Sequence, residues 1–110
     1  MRELTDQTEL EYLLGKVESP LPPPRLTIIY FTASWCSACK SLDIEALEMM
    51  SPHILWLKCD VDTNTYTPGY CNVRAIPHFM AIMDKNVAGS LQQNKTQNVI
   101  EWAQKLVNQL

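Results

Sequence analysis

Cys36 and Cys39 stand three residues apart, directly behind an unbroken strand-forming run, Leu26-Thr27-Ile28-Ile29-Tyr30-Phe31-Thr32. A near-continuous apolar run predicts a strand buried on both faces, as central parallel strands are. A helix-compatible stretch, Lys40 to Met50, follows the cysteines. The pair therefore falls where a strand ends and a helix begins. A helix start gathers unpaired backbone N–H groups and the positive end of the macrodipole. Both favour a thiolate, the form of cysteine that attacks a disulfide. At i, i+3 in a first helical turn the second thiol is close enough to bond the first. The pattern is that of a reversible dithiol–disulfide switch.

The remaining elements follow from periodicity and punctuation. Asp6 to Val17 reads as a short helix, capped by Thr5 or Asp6 with Glu9 completing a capping box, and with Leu10, Leu13, Leu14 and Val17 on one face. Ser19 to Pro24 holds four prolines in six residues, so it is a stiff extended connector. Its minority reading is a ligand for proline-binding domains. Leu42, Ala46, Leu47 and Met50 form the buried side of the helix after the cysteines, which Ser51-Pro52 stops. Ile54 to Cys59 is a second buried strand, and Tyr66 to Tyr70 a brief helical turn broken near Pro68-Gly69. Pro77 to Met83 and Val87 to Leu91 form a hairpin about Asp84-Lys85-Asn86. Thr96 caps a closing helix running to Leu110, and residues 1–4 offer one more strand.

A length of 110 residues predicts one domain, 1–110. With a net charge of −3 and no Lys/Arg-rich run, nucleic acid is an unexpected partner. The apolar runs are strand-length, far short of the roughly 20 residues of a membrane span. Met1 to Asp6 carries two acids and no apolar stretch, unlike a secretory signal. A reducing compartment is expected, the cytoplasm first, with an organelle such as the mitochondrion as the alternative if a transit peptide has been removed. There a CxxC pair is redox-catalytic or metal-binding more often than structural.

Beyond the cysteines, four features in order resemble the thioredoxin family. Phe31-Thr32-Ala33-Ser34-Trp35-Cys36-Ser37-Ala38-Cys39-Lys40 resembles the family's F-x-A-x-W-C-x-x-C-K. Lys58-Cys59-Asp60-Val61-Asp62 resembles its strand ending in V/I-D. Val73-Arg74-Ala75-Ile76-Pro77 resembles its V-x-x-[IM]-P, whose proline is cis. The hairpin and last helix have matching lengths. The resemblance spans essentially the whole chain and implies an α/β thioredoxin fold, with a central mixed sheet of four to five strands flanked by helices on both faces. It further implies a protein-disulfide reductase, active as a monomer, with no bound cofactor beyond the redox-active Cys36–Cys39 disulfide. Cys36 is expected to be the more exposed sulfur and to attack. Cys39, more buried, resolves the mixed disulfide. Trp35, Ile76 and Pro77 are expected to bind substrate, Trp35 as an apolar shield and Ile76 by pairing its backbone with an extended chain. Disulfide-containing proteins would be the substrates. An NADPH-dependent flavoprotein thioredoxin reductase, or another thiol reductant, would recycle the protein.

Departures from the family pattern mark residues that tune this chemistry. Ser37-Ala38 replaces the usual Gly-Pro between the cysteines, which predicts a less reducing protein. Tyr30 stands where most members carry a buried acid, and Lys58, which matches that acid's lysine partner, is left to bond the Tyr30 phenol or to reach water. A tyrosine is a poor base at neutral pH, so slow resolution by Cys39 is expected. Leu91 to Lys95 lacks the glycine common at the partner groove. His78 follows Pro77, and a histidine there can tune Cys36 or simply face solvent. His53 reads as structural or solvated, and Cys59 and Cys71 as inert thiols, Cys59 on a core strand and Cys71 open to solvent in a region where some animal thioredoxins carry a regulatory cysteine. They provide no second CxxC or paired histidine for zinc, so no metal is expected. The competing function is a thioredoxin-fold binding module with low turnover.

Overall fold

The computed structural model describes residues 1–110. Five strands, β1 (Arg2–Glu3), β2 (Leu26–Thr32), β3 (Ile54–Asp60), β4 (His78–Met83) and β5 (Asn86–Gln92), form one sheet in the order β1-β3-β2-β4-β5. β1, β3 and β2 run parallel, and β4 and β5 are antiparallel to their neighbours. This is the mixed sheet expected, including the strand offered by the first residues. β2 lies at the centre, and six of its seven residues are buried.

Alternation along β2 and β3 divides the core into two layers. Leu26, Ile28 and Tyr30 join Ile54, Trp56 and Phe79 on one face, beneath Leu47 and the buried stripe Val99, Ala103 and Leu106. Ile29 and Phe31 join Leu57, Cys59 and Met80 on the other, covered by Leu10 and Leu13. Helices α2 (Ile44–Met49) and α4 (Thr96–Val107) thus cover the first face, and α1 (Gln7–Leu13) the second. Both cysteines of the CxxC belong to the first layer.

Several boundaries differ from the sequence expectations. Asp6 caps α1 by accepting from the Glu9 N–H, but the Glu9 carboxylate pairs with Arg2 instead of closing a capping box. The helix ends before Gly15, which has a φ of 70°, so Val17 is not on it. Only glycine takes that conformation at little cost. A short α3 (Tyr66–Tyr70) runs through Pro68-Gly69 unbroken, because proline is tolerated in a first turn. The Asn64 side chain accepts from the Thr67 N–H at its start. Thr96 does not cap α4. Its hydroxyl accepts from the Asp43 N–H at 2.9 Å. The proline-rich connector is exposed at Leu21 and bends at Pro20-Leu21, with the Tyr12 hydroxyl donating to the Leu21 carbonyl.

Candidate active site

The largest difference from expectation lies at the cysteines. No single helix runs from Lys40 to Met50. A 3-10 turn, Ala38–Ser41, is followed by extended backbone at Leu42, and α2 begins afresh at Ile44. Asp43 caps α2, its carboxylate accepting from the Ala46 N–H at 3.1 Å. Cys39 thus sits on a turn of 3-10 helix with Cys36 just ahead of it, where little macrodipole accumulates. Local N–H groups supply the polarisation instead. Cys36 and Cys39 are joined as a disulfide with Cα atoms 5.3 Å apart. The Cys39 N–H donates to Cys36 Sγ at 3.1 Å.

Exposure does not separate the two sulfurs. Cys36 is 4% exposed and Cys39 6%, so the expectation of an exposed Cys36 is corrected. Ser37 and Ala38 between them are exposed, and the Ser37 hydroxyl caps nothing. The turn is tied to the far side of the site. Ser41 Oγ lies 2.8 Å from the Ala38 carbonyl and 2.9 Å from the Asn94 carbonyl, donating its one proton between them.

Trp35 precedes the pair and is 65% exposed, too open for a plain packing residue. Its indole Nε1–H donates to the Asp62 carboxylate at 2.8 Å, which fixes the ring across the surface. On the other side, the Ile76–Pro77 bond is cis and Pro77 is buried. Ala38, Ile76, Pro77, Gln92, Gln93 and Asn94 line a groove of about 280 Å³. Where the family carries a glycine, the amide residues Gln92, Gln93 and Asn94 form the rim. Gln93 folds back and accepts from the Asn94 and Lys95 N–H groups, both at 3.1 Å.

A second cleft, of about 360 Å³, opens beneath the disulfide, and its lining includes Tyr30, Cys36, Cys39, Lys40, Lys58 and Asp60. Tyr30 and Lys58 are register partners across β2 and β3, as are Thr32 and Asp60. The four side chains therefore form a two-by-two patch on the sheet face under the sulfurs. Tyr30 is buried and stacks on Phe79, ring centroids 5.1 Å apart. Burial pushes its phenol above the ordinary 10.0, which removes it further from base chemistry. No hydrogen bond joins Tyr30 to Lys58. Lys58 is half-buried and lines the cleft.

His78 is not brought to the site. It pairs in register with Phe31 and packs edge-on against that ring, centroids 5.8 Å apart, on the sheet face opposite the sulfurs. Burial lowers its pKa. Its predicted tuning of Cys36 is replaced by a packing role. Cys59 is fully buried and Cys71 partly so, both as free thiols. No group of three or more His, Cys, Asp or Glu side chains is placed to hold a metal ion. The β2–β3 register brings Asp60 into the cleft, and the turn that follows β3 carries Asp62 to the Trp35 indole.

A larger cavity, about 610 Å³, lies among Gly15 to Pro20 and Lys85 and shares no residue with either opening. It holds no cysteine.

The thioredoxin family model matches residues 16–105. The thioredoxin of Rickettsia typhi is 31% identical over 107 residues, covering 91% of this chain and 95% of that protein. The structure of Fasciola hepatica thioredoxin superposes with a TM-score of 0.80 at 27% identity, over 96% of this chain and 98% of that one. Oxidised mitochondrial thioredoxin 3 of Saccharomyces cerevisiae does so at 0.79 and 25% identity, over 100% and 95%.

Proposed function

The chain belongs to the thioredoxin family and is a thiol–disulfide oxidoreductase, and from that premise we propose how its residues divide the reaction. Cys36 attacks a protein disulfide and forms a mixed disulfide. Cys39 then attacks Cys36 and releases the reduced substrate, leaving the Cys36–Cys39 disulfide. The observation that carries this assignment is the Cys39 N–H aimed at Cys36 Sγ. A hydrogen bond to the charged form favours it, and Cys36 receives one while Cys39 does not.

Trp35, held by Asp62, presents an apolar plate on one side of the sulfurs. The groove at Ile76 and Pro77 takes an extended segment of substrate on the other, where main chain reads main chain. The substrates are disulfide-bearing proteins. The Gln92-Gln93-Asn94 rim narrows their range to segments that satisfy amide side chains. The disulfide formed is returned to dithiol by an NADPH-dependent flavoprotein reductase, with glutathione or another dithiol protein as the second candidate. The chain acts as one domain and as a monomer in a reducing compartment, the cytoplasm first and the mitochondrion second. Its two free thiols, Cys59 and Cys71, support a reducing setting. No helix is long and apolar enough to cross a membrane.

The test is a trap. Cys39→Ser is expected to hold substrate proteins on Cys36 as stable mixed disulfides that a strong thiol releases. Cys36→Ser is expected to trap none and to lose turnover with reductase. Trapping on Cys39 in the Cys36→Ser protein at equal yield would reverse the assignment.

A further inference from the structure

We propose that Asp60 accepts the proton of the Cys39 thiol during resolution of the mixed disulfide. The proposal rests on the division of roles between Cys36 and Cys39 just given. Cys39 must lose a proton before it attacks, and a thiol in ordinary surroundings keeps most of its protons at neutral pH. Once Cys36 is tied to substrate, the groups able to receive that proton are those of the cleft beneath the sulfurs.

Those groups are few. Tyr30 comes from β2, with its phenol buried and its pKa raised. Lys58 comes from β3 and Lys40 from the 3-10 turn. An ammonium has no lone pair to give. Asp60, at the end of β3, is the cleft's single carboxylate. The two histidines lie elsewhere, His78 on the opposite face of the sheet, and neither lines the cleft. Glu3, exposed on β1 beside Lys58, also stands outside the lining. The Asp62 carboxylate is engaged by Trp35.

Asp60 is also held in place. Its Oδ1 accepts from the Asp62 N–H at 2.9 Å, while Oδ2 has no protein partner. One oxygen orients the group and the other is left without a partner on a residue that lines the cleft. Register puts Thr32 beside Asp60 and Tyr30 beside Lys58, so the carboxylate sits diagonally across from Tyr30 on the same sheet face. A water molecule between sulfur and carboxylate would relay the proton equally well.

The step balances. The Cys39 S–H bond breaks and its proton goes to Asp60, directly or through water. The Cys39 thiolate attacks Cys36 Sγ, forming the Cys36–Cys39 bond and breaking the bond from Cys36 to the substrate sulfur. The two cysteines are oxidised to a disulfide, and the substrate sulfur leaves as a thiolate. It takes back the proton from Asp60 or from solvent.

The test uses the reduced full-length chain carrying Cys71→Ser, so that the partly buried free thiol does not consume the probe, and an aryl disulfide whose leaving thiolate is coloured. Attack by Cys36 releases one coloured thiolate in a phase that scales with probe concentration. Resolution by Cys39 releases a second in a phase that does not. Asp60→Asn keeps the Oδ1 acceptor and removes the base. It is expected to slow the second phase by at least about a hundredfold at pH 7, the lower end of the range for a lost general base, and to leave the first phase unchanged. Asp60→Glu restores the second phase. In Asp60→Asn the second phase depends more steeply on pH between about 6 and 8 than in the chain that keeps Asp60, because solvent base must then take the proton. An equal second phase in Asp60→Asn, or the same pH dependence in the two proteins, overturns the proposal. If Cys39→Ser still releases two coloured thiolates, the division of roles itself has failed and the Asp60 step falls with it.

Discussion

The backbone N–H of Cys39 donates to Sγ of Cys36 at 3.1 Å, and nothing in the site donates to Sγ of Cys39. With both residues almost equally buried, this bond is what distinguishes one sulfur from the other. Charge-assisted hydrogen bonds are roughly twice as strong as neutral ones, so it strengthens as Cys36 ionises. In the reduced chain, iodoacetamide is expected to modify Cys36 about tenfold faster than Cys39 at pH 7, the advantage of a larger thiolate fraction. Mass spectrometry of the labelled peptides at short times checks the order. Equal labelling of the two would show that the N–H adds nothing.

The redox centre and the frame around it were legible in the sequence because local rules write them. A continuous apolar run makes β2 central, and Ile76-Pro77 ahead of a strand marks the facing loop. What was not legible depends on neighbours distant in sequence. The break at Leu42 was hidden because Leu42, Ala46, Leu47 and Met50 keep a helical spacing across it. Asp43 was available as a cap, but starting a new helix there uses the Thr96 hydroxyl, 53 residues away, to satisfy the Asp43 N–H. His78 reads in the sequence as a group that tunes Cys36 or faces solvent, because it follows Pro77. Its register with Phe31 decides otherwise. Asp60 lay in plain view within a motif, yet only the β2–β3 register places it under the disulfide.

The joint between Asp43 and Thr96 gives a stability prediction. Thr96→Val keeps the shape of the side chain and removes the acceptor for the Asp43 N–H. A lost hydrogen bond of this kind costs about 1 kcal/mol. The site is half-exposed, so water recovers part of the loss. Urea unfolding is expected to show that drop in midpoint with an unchanged slope. Thr96→Ser, which retains the hydroxyl, is expected to lose much less. Equal losses for Val and Ser would assign the effect to packing.

Tyr30 gives a kinetic prediction that separates ring from hydroxyl. Tyr30→Phe keeps the stack on Phe79 and is expected to leave the concentration-independent phase unchanged, since the phenol does not act as a base. Tyr30→Asp places a second carboxylate under the sulfurs and is expected to speed that phase roughly tenfold. Its cost is the buried ring, about 3 kcal/mol by comparison with large-to-small core changes. A slow Tyr30→Phe protein would show that the hydroxyl participates after all.

Cys59 and Cys71 make the fold sensitive to alkali. Burial pushes the Cys59 thiol up to about 12, aided by the negative charges of Cys71, Asp60 and Glu3, and burial pushes Cys71 up to about 11. In the unfolded chain both ionise near 9.0. Above that pH the unfolded state has released protons that the folded state still binds, so stability falls as pH rises. The contribution is complete below pH 9 and is lost progressively toward the folded values. The informative interval is pH 9 to 10, because an unfolded tyrosine ionises near 10.0 and Tyr30, also raised by burial, adds its own slope only beyond that. Cys59→Ala costs about 1–2 kcal/mol at pH 7 for the lost side-chain volume, but it removes the group with the larger shift. The gap between the unsubstituted chain and Cys59→Ala, measured by urea unfolding with the Cys36–Cys39 disulfide kept intact, is therefore expected to narrow from pH 9 to 10. Parallel curves would mean that Cys59 ionises no more easily in the unfolded chain than in the folded one.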